Sequence, residues 1–225
     1  MMKSIWKNIK YLLIFFGLSL SLSGCFDFVE EIQLNNDGSG LLKYKLNLSK
    51  SKTKLSSIML MDSIRGFAVP DQDEIHEKLV DLKLHLQDQE GLSDVVVKEN
   101  WSEYIFEVSL HFDNIESVNH GFESVMSKDQ FAKGLFFTPF ESSGDRFVRN
   151  YVHQDYSSIQ GWERNFTEVF SDSKFTAVYK FGRLVDSQTN PKYLISKNRK
   201  AVMFKSSFLD LIKKEATLQN SIVLQ

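Results

Sequence analysis

Cysteine occurs once in the 225 residues, proline three times and glycine eleven times. One cysteine excludes an intramolecular disulfide and a zinc site built from several thiolates. So little proline and glycine excludes a collagen-like or low-complexity chain. There is no G-x-S-x-G nucleophile elbow, no H-E-x-x-H pair and no Walker loop. No excess of basic charge exists either, with 27 Lys and Arg against 29 Asp and Glu. A chain without a basic surplus argues against nonspecific binding to nucleic acid. The main apolar stretch, Tyr11 to Leu22, spans 12 residues. As a helix that is about 18 Å long, whereas a bilayer core requires about 20 residues.

What is present is an ordinary globular balance, 42% hydrophobic and 25% charged. Nineteen Phe and three Trp supply enough apolar volume for a core without disulfide staples. The aromatic side chains are expected to be packing; lining an apolar ligand cavity is the competing reading. The length suits one domain.

Lys3, Lys7 and Lys10 precede the apolar stretch, as in the n-region and h-region of a signal peptide. The stretch ends in Leu22-Ser23-Gly24-Cys25, an aliphatic residue, two small residues and the lone cysteine. This resembles the lipobox of bacterial lipoproteins. The resemblance implies that residues 1–24 are a cleaved signal peptide, with Leu22, Ser23 and Gly24 recognised by the peptidase. It implies that Cys25 is acylated on sulfur and becomes the first residue of the mature protein. Two acyl chains anchor stably, at about 0.8 kcal/mol per buried methylene. The expected location is therefore the bacterial cell envelope, at a membrane. Phe26, rather than Asp, follows the cysteine, which favours the outer membrane if the source is Gram-negative. Residues 25–225 then carry 24 basic and 29 acidic side chains, a net −5.

Residues 25–225 are expected to form a single globular envelope domain. Residues 26–35 and 42–48 alternate, with Leu42, Tyr44, Leu46 and Leu48 on one face and Lys43, Lys45 and Asn47 on the other. Period two means strands with one wet face. Asn35-Asn36-Asp37-Gly38-Ser39-Gly40 between them reads as a hairpin turn. A lipobox cysteine leading into a strand, an Asp37-Gly38-Ser39-Gly40 turn and a second alternating strand is similar to the opening of LppM-type lipoproteins. That resemblance implies an α+β envelope domain, with lipid or glycolipid binding as one suggestion.

Further along, residues 51–65 show a helix-like pattern. Asp71 to Glu90 repeats Ile75, Leu79, Leu82 and Leu86 as one stripe after Pro70. Residues 94–99 and 103–112 read as a strand pair, and Asp113 or Asn114 can cap a helix carrying Ile115, Val118, Phe122 and Val125. Phe136–Phe140 and Phe147–Val152 read as strands about a turn, and 153–174 as a loop with a short helix. Phe175, Ala177, Tyr179 and Phe181 share one strand face. Tyr193–Ile195 and Ala201–Phe204 pair across residues 197–200, and Ser207 caps a helix from Phe208 to about Leu218. Strand pairs separated by helices indicate an α+β fold. The expectation is a mostly antiparallel sheet built from hairpins, with about three to five helices packed on it.

Charge is segregated. Residues 71–90 hold seven acids and two bases, while residues 192–214 hold seven bases and Asp210 alone. Lys43, Lys45, Lys197, Arg199 and Lys200 are candidates for a basic face toward anionic headgroups, provided that the first hairpin and the last strands are neighbours. A solvated surface of mixed charge is the preferred reading. His76 among Asp71, Asp73, Glu74 and Glu77 could be a metal-friendly cluster, but a solvated acidic helix start is the preferred reading. No metal or cofactor is expected. Cys25 is taken up by the anchor, so a Cys–His nucleophile is unavailable. The functional expectation is a noncatalytic, lipid-anchored protein that binds an envelope protein partner or helps assemble a complex. Two alternatives stand beside it: a binder or sensor of a lipid or other apolar ligand, and an envelope hydrolase working through carboxylates and His76.

Overall fold

Period-two segments become the strands of two sheets. The computed structural model describes residues 26–64, 67–126, 140–153, 167, 170 and 172–225. The leader, Cys25, residues 136–139 and most of 153–174 lie outside the described residues.

The first hairpin is as read. β1 (Asp27–Leu34) pairs antiparallel with β2 (Gly40–Asn47), from Asp27 opposite Asn47 to Leu34 opposite Gly40. In the turn, the Asp37 carboxylate accepts from Ser39 N (3.0 Å) and Ser39 Oγ (2.7 Å), and Gly38 takes φ +89°. Those bonds favour the charged form and hold the Asp37 pKa below its usual value.

β2 leads through a turn of 3-10 helix at Ser49–Ser51 into α1 (Lys52–Ile58). Two-residue strands β3 (Ser63–Ile64) and β4 (Phe67–Ala68) pair with each other. α2 (Gln72–Gln87) begins with a capping box: Asp71 accepts from Glu74 N, and the Glu74 side chain accepts from Asp71 N. β5 (Leu92–Asn100), β6 (Ile105–Phe112) and α3 (Ile115–Met126) follow. Asn114 accepts from Ser117 N at 3.0 Å, so it caps the start of α3. Gly121 lets α3 close on its neighbours, since a Cβ there would stand 2.8 Å from Leu92 Cδ1.

β7 (Phe140–Ser143) and β8 (Arg146–Arg149) form a hairpin, with Gly144 at φ +59°. Then come β9 (Lys174–Phe181), β10 (Val185–Gln188), β11 (Leu194–Ile195), β12 (Ala201–Ser207), α4 (Phe208–Ile212) and β13 (Asn220–Leu224).

The larger sheet has seven strands in the order β11-β12-β9-β1-β2-β6-β5, and the smaller has four, β10-β13-β8-β7. The fold is α+β, with four α-helices among the described residues. The expectation of a hairpin-built, mostly antiparallel sheet needs one correction. β1 pairs parallel with β9, Asp27 opposite Lys174 and Leu34 opposite Phe181, so the larger sheet is mixed. A parallel neighbour needs a long connection, and the helices and small-sheet strands between residues 34 and 174 provide it.

The C-terminal helix is also shorter than expected. Ser207 caps it as read, accepting from Asp210 N at 3.0 Å. It stops at Ile212, and Lys214 then takes φ +65°. The residues that follow include β13, which slots between β10 and β8.

The core lies on one face of the larger sheet. β9 contributes Phe175, Ala177, Tyr179 and Phe181, all buried, in phase with Ile32 and Leu34 of β1 and Leu42 of β2. Aromatic side chains do pack there. Phe26, Phe28 and Phe175 all contact Phe208, and Phe147 touches Tyr179 and Phe181.

Candidate functional site

β1 gives the larger sheet a direction. It starts at Asp27, two residues after Cys25, and runs about 25 Å to its far end, at the usual rise per residue. At the entry end the chain is packed at once. The Phe26 ring lies 5.6 Å from that of Phe170 and 5.1 Å from that of Phe208. Its carbonyl accepts from Lys174 N at 2.9 Å. Asp27 Oδ2 pairs with Lys50 Nζ at 2.9 Å, while Asp27 Oδ1 is buried with no hydrogen-bond partner among the described residues. Cys25, Leu22, Ser23 and Gly24 lie outside the described residues.

The five candidate basic residues are not brought together. Lys43 and Lys45 sit mid-strand on β2, on the face opposite the core, beside Glu31 and Glu107 through the strand register. Lys197, Arg199 and Lys200 belong to the β11–β12 turn. β12 runs antiparallel to β9, so this turn stands at the far end, beside Phe181. Two strands, β1 and β9, separate β2 from β12. Arg199 is engaged locally: Nε donates to Val185 O (2.9 Å) and Nη2 to Asp186 O (3.1 Å).

The far end holds an open groove of about 380 Å³. Its wall is made by the C-terminal ends of β1 and β9 and by the β11–β12 turn. Gln33, Asn35, Lys180, Ser196, Asn198 and Lys200 supply its polar groups. Lys180 is paired with Glu31. Asn198 Oδ1 accepts from Ser196 Oγ (2.7 Å) and Lys200 N (3.1 Å), which fixes the turn. Leu34, Phe181, Gly182 and Ala201 complete it, so the groove is mixed, with an apolar floor and a polar rim.

The acidic helix start has a structural use. Asp71 and Glu74 form the capping box of α2. His76, exposed, meets Glu99 through Nδ1 at 2.8 Å, and Trp101 Nε1 donates to the other Glu99 oxygen at 2.9 Å. This ties α2 to β5. Among the described residues, no group of three His, Cys, Asp or Glu side chains could hold a metal ion.

One constellation went unread in the sequence. Glu30 and Arg149 are both buried, at 0% and 1% exposure, where the two sheets face each other. Arg149 Nε and Nη2 each lie 3.0 Å from a Glu30 oxygen, and Nη1 donates to Asn150 O at 2.7 Å. The Tyr179 hydroxyl donates to Glu30 Oε1, and the guanidinium lies 4.6 Å from the centre of the Phe140 ring. Burial acts to lower the Arg149 pKa, but the facing carboxylate and the tyrosines outweigh it, so the guanidinium stays charged. Burial, reinforced by Glu30, pushes the Tyr179 and Tyr44 phenols up. The signal was available: Glu30 stands in phase with Phe28, Ile32 and Leu34, and Arg149 in phase with Phe147 and Tyr151. An acid and a base on two apolar faces are each other's natural partners.

No family model matches the chain, and no curated protein does. In class, it is an α+β protein built on a mixed seven-stranded sheet and a four-stranded antiparallel one. Among solved structures, it is similar to the folded domain of LppM from Mycobacterium tuberculosis, determined by NMR. That likeness has a TM-score of 0.42 at 11% identity and covers 90% of this chain and 91% of that one.

Proposed function

We propose that this protein is a lipid-anchored component of a bacterial cell envelope that binds a partner and performs no catalysis. Acyl chains on Cys25 hold it at the membrane. The observation that carries the reading is the packing of Phe26. The residue after the lone cysteine already belongs to the folded head, through Lys174 N, Phe170 and Phe208. An anchor at Cys25 therefore sets the head directly on the membrane, without a flexible tether of the kind that Ser- and Gly-rich linkers provide. The groove at the far end of β1 then points away from the bilayer. Its mixed lining, apolar at Leu34, Phe181 and Ala201 and polar at Asn35, Asn198 and Lys200, suits an amphipathic segment of an envelope partner.

The test is incorporation of labelled palmitate by cells producing the protein or its Cys25→Ser variant. Label on the first and none on the second is expected. Equal labelling, or none on either, sinks the anchor. For the partner, extraction in mild detergent followed by crosslinking is expected to give a complex that Lys200→Glu weakens. Recovery as a monomer alone counts against the binding role.

A further inference from the structure

We propose that Leu60 and Met61 form an apolar knob that enters the membrane beside the acyl chains of Cys25; this rests on the anchor reading above. The two side chains follow α1 and are 89% and 48% exposed. Water does not favour so open a leucine at the tip of a turn. The turn is nonetheless built, with Met59 N donating to Leu55 O at 2.8 Å and Met61 N to Ile58 O at 2.9 Å.

The fold puts this turn at the entry end. β2 runs back antiparallel to β1, so its last residue, Asn47, stands opposite Asp27, and α1 follows within a few residues. Three ties hold that segment against the end of the sheet. Lys50 pairs with Asp27 (2.9 Å), Lys52 pairs with Glu103 (2.9 Å), and Ser56 Oγ bonds Tyr104 Oη (3.1 Å). Cys25 is two residues before Asp27, a reach of about 7 Å at most. An acylated Cys25 therefore delivers bilayer to this end.

The surroundings of the turn suit a membrane surface. Lys50 and Lys52 are held by Asp27 and Glu103, and Asp62 follows Met61, so apolar and aromatic side chains, not basic charge, are what this end offers a bilayer. Trp101 and Tyr104, at the β5–β6 turn of the same end, are amphipathic rings of the kind that settle at headgroup level. An exposed apolar tip at the end of the sheet that also carries aromatic side chains is the pattern of a shallowly inserted anchor.

The test uses the full chain in vesicles of phosphatidylcholine and phosphatidylglycerol. With Cys25 acylated, Leu60→Cys provides a single thiol for an environment-sensitive dye. Lys197→Cys, in the β11–β12 turn, is the control. A blue shift at 60, with quenching by nitroxide-bearing lipid and no change at 197, is the expected result. A water-like signal at 60 in protein that carries labelled palmitate overturns the knob and leaves the anchor standing. If no palmitate is found, the anchor reading fails, and the knob is read from vesicle binding by the Cys25→Ser protein. Binding that falls roughly tenfold with Leu60→Glu, the scale of one buried leucine, upholds it. Absence of binding overturns it.

Discussion

Arg149 and Glu30, 119 positions apart in the chain, meet inside the protein with two parallel hydrogen bonds of 3.0 Å. They bind the small sheet to the large one. Removing one partner leaves the other charged and buried, a loss of about 3–5 kcal/mol. Glu30→Ala and Arg149→Ala are each expected to show it in urea denaturation. The double variant Glu30→Leu, Arg149→Met is expected to recover much of the loss, because no charge is then stranded. A double variant as unstable as the sum of the singles refutes the coupling.

Burial raises the phenol pKa values of Tyr44, Tyr179 and Tyr193 above the ordinary value of 10.0. Above about pH 10, unfolded chains release these protons and folded chains keep them. The unfolded state then binds fewer protons, so stability falls as pH rises. Below that pH the contribution is fully present. Phenolate absorbance followed through an alkaline titration is expected to show these three ionising only with loss of the fold. Smooth ionisation of all tyrosines near pH 10, with the fold intact, contradicts this.

Gly40 opens β2 with no room for a side chain. A Cβ there would stand 2.1 Å from the backbone oxygen of Gln33 and 2.4 Å from Phe112 Cζ. Strand backbone does not yield cheaply, so Gly40→Ala is expected to cost at least about 1–3 kcal/mol. Thermal denaturation measures it. Gly38, where a Cβ would meet nothing within 4 Å, is governed instead by its φ of +89°. Gly38→Asn is accordingly expected to be tolerated better than Gly38→Val.

Asn220 organises the small sheet's end from a fully buried position. Its Oδ1 accepts from Asn190 N (2.9 Å) and Thr189 N (3.2 Å), and its Nδ2 donates to Gln188 Oε1 (3.0 Å). Asn220→Leu keeps the bulk but strands Asn190 N, at about 1–3 kcal/mol for a buried group left unpaired, whereas Thr189 N keeps Ser221 O at 3.1 Å. Amide exchange at Asn190 is expected to accelerate in the variant, with Thr189, held also by Ser221 O, less affected. Unchanged protection at Asn190 rules out the role assigned to Asn220.

Local periodicity made much of the fold legible. Alternation at 42–48 and 175–181 placed β2 and β9 with the right faces inward, Ser207 was readable as a cap, and Asn114 was one of two caps the sequence offered for α3. What escaped was nonlocal. Nothing near β1 or β9 says that the two run side by side, because the pairing depends on what lies between them. Val185–Gln188 and Asn220–Leu224 are short, and their partners are distant, so neither stood out beside the helix at 208. The lysines could not be placed together or apart for a related reason. Lys43 and Lys200 are both basic, but their joint position depends on a strand order that composition does not contain. Glu30 was skipped because it broke an apolar run; that break was the clue to the buried pair.

The seam between β1 and β9 sets a timetable for synthesis. The first hairpin is local and closes quickly, but the other edge of β1 waits until Lys174–Phe181 has emerged from the ribosome. During that interval a nascent chain carries an open strand edge, an invitation to stick to its neighbours. A holding chaperone that shields such edges should therefore matter more to the yield of this protein than to that of an all-hairpin one.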